Sequence, residues 1–213
     1  MFLVVFGAIL LCVFLAVWIW QSPGLWRKRM THEEIDQYMA QIDARWVAPA
    51  AEKSEFISRA RAWAAADDGK PVLLLNLLRY HDTLQPLPPS LEFNGTPQKA
   101  NAEYEKTVGP LAIKRGEYPR LVGRVQGANL AGYETELDKW DHVVVMRAPS
   151  RRAFIQFMAD PNYGPVVSLK SAAAKVLLIP FSAEMELPDL RIAVGCLLLI
   201  LFLIVGWIRA AVG

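Results

Sequence analysis

Cysteine and histidine are scarce in this chain of 213 residues, which holds two of the first and three of the second. Cys12 and Cys196 each lie inside an apolar terminal run. That pattern offers no disulfide framework and no zinc-ligand spacing, so both read as small apolar fillers. His32, His81 and His142 form no cluster with nearby carboxylates, although Tyr80-His81-Asp82 could lend one ligand. No metal is expected. A glycine-rich phosphate loop is absent, and so is a serine nucleophile elbow. No cofactor is expected either. Charge of one sign is missing too: 23 basic against 21 acidic residues leave a net charge of +2. A broad nucleic-acid surface needs a stronger basic footprint, so no nucleic acid is expected as a partner.

Apolar residues make up 54% of the chain. The excess is concentrated at the two ends. Residues 1–20, MFLVVFGAILLCVFLAVWIW, carry no charged side chain. Twenty residues at about 1.5 Å rise span about 30 Å, one hydrocarbon thickness. Trp18 and Trp20 fall where an interfacial aromatic belt belongs. A cleaved signal would need a basic n-region and a small-residue cleavage site, and neither is present. The run reads as an uncleaved signal-anchor. Residues 192–208, IAVGCLLLILFLIVGWI, form a second run at the short end of the spanning range. Arg191 and Arg209 can snorkel at its ends, and Trp207 is a further interfacial anchor. Arg27, Lys28 and Arg29 follow the first run and Arg191 opens the second. The positive-inside rule then puts the central domain in the cytoplasm and both termini outside. The expected protein is a two-span component of a bacterial inner membrane, with the lipid bilayer as its first partner.

Between the runs the pattern changes. Thr31 with Glu34 three residues on is a capping box. Ile35, Tyr38, Met39, Ile42 and Trp46 then follow helical spacing. Residues 52–66 carry a second stripe of Phe56, Ile57, Ala60 and Trp63, stopped by DDGKP. Residues 21–70 therefore read as a linker and two amphipathic helices that pack on a domain or on the membrane surface. Residues 72–79 read as a strand. Residues 81–97 form a long loop with four prolines, of a length often used for binding or for lids. Residues 98–115 read as a helix, kinked or interrupted at Gly109-Pro110 and closed by Gly116. Strands follow at 120–126 and 140–147. Ser150 caps a helix to about 159, a turn and a short helix run to 175, and a last strand covers 176–182. The order β-α-β-β-α-β is the ferredoxin-like arrangement, an α+β domain spanning 71–183. Strands apolar on both sides need cover on both faces. The helices supply one cover. A second copy of the sheet is the simplest other, so a homodimer formed sheet to sheet is expected.

Three segments carry a resemblance. VLLLNLLRY (72–80), YEKTVGPLAIKRG (104–116) and WDHVVVMRAPSRRAFIQFMADPNYGPVVSLKSAAAKVLLIP (140–180) are similar to the DUF1330 family of the dimeric α+β barrel superfamily. Its specific parts are the strand asparagine, Trp140-Asp141, the APS..AF segment at 148–154, and Asp160-Pro161-x-Tyr163 with a basic residue at 170. The resemblance covers roughly 71–183 and leaves out both apolar runs and the two early helices. It implies a ferredoxin-like dimer. Members more often have Arg where this chain has Lys170, and often Gly-Gly where it has Gly116-Glu117. The superfamily holds monooxygenases, isomerases, heme proteins and binding modules, so it leaves function open. Heme ligation by His81 or His142 rests on that analogy alone.

An unpaired buried amide costs roughly 1–3 kcal/mol, so Asn76, in the middle of an apolar strand, needs a partner. Alternation puts Val72, Leu74, Asn76, Leu78 and Tyr80 on one face, and Leu73, Leu75, Leu77 and Arg79 on the other. The wholly apolar stretch of the second set suits packing under helices, which points Asn76 to the open face. A site is expected from Asn76, Tyr80, Tyr104, His142 and Tyr163, with Arg79 or Lys170 as the cation. Such a set could bind a small polar or aromatic molecule, with an amide to orient, phenols to hydrogen-bond and a cation for a carboxylate. His142 is the natural proton-transfer candidate, with an ordinary pKa of about 6.5. Three functions remain open. The chain could be a membrane-anchored module that binds a small molecule or a membrane partner. It could be a cofactor-independent enzyme of the monooxygenase or isomerase type acting on a hydrophobic substrate. It could be a structural assembly factor of a membrane complex.

Overall fold

A computed structural model describes residues 29–132 and 139–185, with isolated residues of 5–20 and 196–208. The two apolar runs fall for the most part outside these residues. Among the described residues no helix is long and apolar enough to cross a membrane. Contacts divide the chain into two units, Met1–Ser182 and Ala183–Gly213. All the elements below belong to the first.

Two helices come first, α1 (His32–Arg45) and α2 (Ala50–Ala65). The capping box at the start of α1 is formed. Thr31 Oγ1 accepts from the Glu34 amide at 3.2 Å, and a Glu34 carboxylate oxygen accepts from the Thr31 amide at 2.8 Å. Ile35, Met39 and Ile42 carry its stripe into the core. The sheet domain follows as β1 (Val72–Tyr80), α3 (Pro97–Lys114), β2 (Tyr118–Arg124), β3 (His142–Ala148), α4 (Arg151–Met158), α5 (Val167–Ala173) and β4 (Ala174–Phe181). The strand order is β2-β3-β1-β4 with every neighbour antiparallel, the four-stranded sheet expected of β-α-β-β-α-β order. Pro119 and Pro180 sit on the two edge strands, where a missing amide costs the sheet least. A register shift between Pro119 and Leu121 kinks the β2 edge.

Local chemistry sets the helix ends. Thr96 caps α3 with Pro97 in its first turn, and Ser150 caps α4 by accepting from the Ala153 amide at 3.1 Å. Gly116, at φ +80°, closes α3 in a conformation that disfavours side chains. The expected kink or interruption at Gly109-Pro110 does not break α3, which runs through Pro110. Proline removes one intrahelical amide, while Ala100, Tyr104, Val108 and Ala112 keep a continuous buried stripe on either side of it. The core joins sheet residues such as Val72 and Leu74 to Tyr104, Ile155 and Phe157, and also to Met39, Ile42 and Ala64 of the early helices. Arg152 of α4 ties the layers by a bidentate pair to Glu34 at 2.5 and 3.0 Å. That pair, with the Thr31 amide, holds the Glu34 carboxyl down to about 2.

The faces of β1 are the reverse of the expectation. Val72, Leu74, Asn76 and Leu78 are buried, while Leu73, Leu75 and Leu77 are only half-buried. Asn76 therefore faces the helices, not the open side. The reason is on the helix side: Lys170 of α5 donates to Asn76 Oδ1 at 3.1 Å, and the Asn76 amide donates to the Leu74 carbonyl at 3.2 Å. Both halves of the amide find partners there, so burial costs little. The open face instead carries leucines, valines and isoleucine in register. Leu75 stands between Val145 and Ile179, and Leu77 between Val143 and Leu177. Ile179 and Phe181 are about two-fifths exposed, at 41% and 39%.

Candidate functional site

Helix α5 runs into β4 with no connecting residue, so its side chains overhang the β1–β4 half of the sheet. The link between α1 and α2 approaches the same region from the other side. Between them lies a cavity of about 860 Å³. Trp46 and Phe56 form one wall, stacked at 4.5 Å between ring centroids. Val176 and Leu178 of β4 form the floor, and Leu87 of the long loop reaches the rim. The loop is tied down by two backbone bonds, from the His81 and Gln85 amides to the Ala173 and Ala172 carbonyls. Volume and lining fall in the range of small-molecule sites.

Polar residues also line this space, among them Glu52, His81, Gln85, Ser171 and Lys175. Asn76 and Lys170 line it together as a bonded pair. Lys170 also lies over the Tyr104 ring, 5.3 Å from its centroid. Among the described residues no carboxylate forms an ion pair with it. Burial pushes its ammonium down to about 8, opposed by the charge of Glu105. Tyr163 lines the cavity as well and shares a 3.2 Å hydrogen bond with the Tyr104 hydroxyl behind it. Burial raises the pKa of both phenols, so both are neutral near neutral pH. Ser168 is another lining residue, 6% exposed, and its Oγ has no hydrogen-bond partner among the described residues.

Of the residues expected from sequence, the fold brings together Asn76, Tyr163 and Lys170 at the cavity, with Tyr104 directly behind them. Tyr80 belongs to a separate group: Asn101 donates to its hydroxyl at 3.3 Å and to Glu105 at 2.8 Å. His142 stands with Tyr80, ring to ring at 5.7 Å and 75°. Neither lines the cavity. Arg79 belongs to the open-face set of β1, in register with Lys175. The cation of the group is therefore Lys170.

Sequence reasoning missed three residues of the cavity wall. Trp46 and Phe56 read as packing stripes; their position at the α1–α2 link is what turns them to the cavity. Ser168 carried no signal. A fourth residue, Glu117, lies outside the cavity and did carry a signal, as the position where the family resemblance expects glycine. It is 2% exposed, its Oε1 lacks a partner among the described residues, and burial pushes its carboxyl up to about 8.

No protein-family model and no curated protein matches the chain. Among solved structures, a protein of unknown function from Rhodopseudomonas palustris is similar at 25% identity, over 66% of this chain and 98% of its own, with a TM-score of 0.51. The cofactor-independent oxygenase SnoaB from Streptomyces nogalater, as a mutant, is similar at 18% identity, over 56% of this chain and 99% of its own, with a TM-score of 0.39. A hydroxynitrile lyase from Passiflora edulis is similar at 18% identity over the same shares, with a TM-score of 0.36. The chain thus shares its α+β fold, a four-stranded antiparallel sheet covered by helices, with a solved protein that itself has no assigned function.

Proposed function

We propose that this chain is a membrane-anchored, DUF1330-like module that binds a small, largely apolar molecule in the cavity beneath β1 and β4. One observation carries the reading. A space of about 860 Å³, walled by aromatic and aliphatic side chains, contains a bonded lysine–asparagine pair. The space is open to solvent, so its apolar walls face water until an occupant covers them, which favours a largely apolar ligand. The anchoring part rests on the uncharged run 1–20 and the run 192–208. The position of Arg27, Lys28, Arg29 and Arg191 favours a cytoplasmic domain. The half-buried leucines and valines of the open sheet face suit a second copy of the sheet, giving a homodimer with one cavity per protomer.

Val176→Trp tests the binding reading. Val176 lines the cavity and is 38% exposed, so an indole there fills the floor without crowding a sealed core. The full chain in lipid nanodiscs is titrated with a neutral naphthalene probe, and naphthalene emission is followed against empty nanodiscs. The expected result is saturable binding that Val176→Trp abolishes while the melting temperature holds. Equal binding by both proteins would overturn the proposal.

A further inference from the structure

An ammonium group in an apolar wall is an unbalanced charge. Ordinary lysines escape this by reaching water or by pairing with a carboxylate. Lys170 is half-buried on the cavity wall and, among the described residues, pairs with no carboxylate. Its neighbours on every side are polar or aromatic but not anionic: Asn76 Oδ1 at 3.1 Å from β1, the Tyr104 ring at 5.3 Å from α3, and the neutral Tyr163 phenol from the turn before α5. Glu105 acts on it only through space and is bonded to Asn101. The remaining charged or titratable lining groups are Glu52 of α2, His81 of the loop, and Lys175 of β4.

We infer that the ligand of this cavity carries a single carboxylate, which pairs with Lys170 while its apolar body lies against Trp46 and Phe56. The inference rests on the cavity being a ligand site, as proposed above. Asn76 holds the ammonium by one acceptor and leaves its other N–H bonds for the incoming anion. Ser168, buried and without a hydrogen-bond partner among the described residues, offers a hydroxyl donor from the same helix.

A competing role for such a lysine is nucleophilic attack on a carbonyl. The geometry favours the charged form, because Asn76 Oδ1 accepts from the ammonium at 3.1 Å. With its pKa near 8, the amine is still protonated in roughly nine molecules of ten at neutral pH. A protonated amine recruits anions and does not attack. Binding of the carboxylate returns the counter-charge that burial removed.

The test uses the full chain in lipid nanodiscs and three probes of one shape: naphthoate, its carboxamide and the corresponding naphthylmethylamine. Naphthoate is expected to bind roughly ten- to a hundredfold tighter than the carboxamide at neutral pH, the range of a charge-assisted hydrogen bond away from water. The amine should bind weakest. The preference for acid over amide should shrink as pH rises well above about 8 and Lys170 loses its proton. Lys170→Met should abolish the preference of acid over amide, while an unchanged far-ultraviolet circular dichroism spectrum reports that the variant is folded. The pH profile of the unaltered chain probes the same charge pairing without a variant. Equal affinity for acid and amide, or a preference that survives Lys170→Met, would overturn the carboxylate assignment and leave the cavity as a site for neutral molecules. Absence of binding by all three probes would overturn both.

Discussion

Glu117→Gln should stabilise the protein at neutral pH and remove a downward slope from its pH–stability curve. Glu117 follows Gly116 at the end of α3, and its side chain is almost fully shielded. Burial raises its carboxyl from 4.5 to about 8, opposed by the Arg115 charge. The sign follows from linkage. Between those two values the folded chain holds a proton that the unfolded chain has lost, so stability falls as pH rises. Each pH unit in that window costs about 1.4 kcal/mol, and the loss accumulates to the order of 4 kcal/mol between about pH 5 and about pH 9. Glutamine keeps the shape and does not titrate. Lys170 acts in the opposite direction. Its ammonium is lowered from 10.5 to about 8, so the unfolded chain binds the extra proton above pH 8 and stability rises there, on the order of 3 kcal/mol in full. Together the two groups put a stability minimum near pH 8. Urea denaturation of the full chain in nanodiscs, followed by tryptophan fluorescence at several pH values, measures both limbs. The Glu117→Gln curve subtracted from the unaltered curve should show only the acid limb. Parallel curves would refute the buried, protonated carboxyl.

Three further outcomes are expected. Asn76→Leu should cost about 1–3 kcal/mol at neutral pH by taking away the Lys170 acceptor; Lys170→Met orphans the amide oxygen but also removes the desolvated ammonium, so it should cost less, and the double variant should be more stable than the sum of the two single changes predicts; additive effects in urea denaturation would show that the two side chains do not act as a pair. Ile179→Asp puts a charge in the middle of the open sheet face, where burial of an unpaired carboxylate against a second sheet costs several kcal/mol; analytical ultracentrifugation should show a dimer becoming a monomer, and an unchanged mass would refute the sheet-to-sheet dimer. Asn94→Cys, in a chain with Cys12 and Cys196 replaced by alanine, should resist a membrane-impermeant maleimide in intact bacteria and react after lysis; labelling from outside would overturn the cytoplasmic placement.

Much of the fold is written in local chemistry. The capping box at Thr31 and Glu34, the cap at Ser150, and Gly116 at a positive φ each act within a few residues, so sequence alone places them. The strand order needs only the sequence of elements and the rule that such connections are short and right-handed. Strand ends are a different matter. The last strand begins at Ala174, two residues earlier than periodicity suggests, because α5 passes straight into β4. No turn residue marks that junction.

The face of Asn76 shows where local reading stops. VLLLNLLRY is apolar at every other position on both sides, so alternation defines two faces and cannot rank them. The amide looked like the feature that should avoid the packed side. What decides is a lysine 94 residues away that needs an acceptor in the same place. Each of these groups, alone, would be a buried polar liability; facing each other, they satisfy one hydrogen bond and leave one charge over. That leftover charge is why the pair is more than packing. A structural amide could have been served by a serine or a backbone group at no electrostatic cost. On the wall of an open cavity, an ammonium that pairs with no carboxylate among the described residues is where a bound anion would replace water and complete the charge.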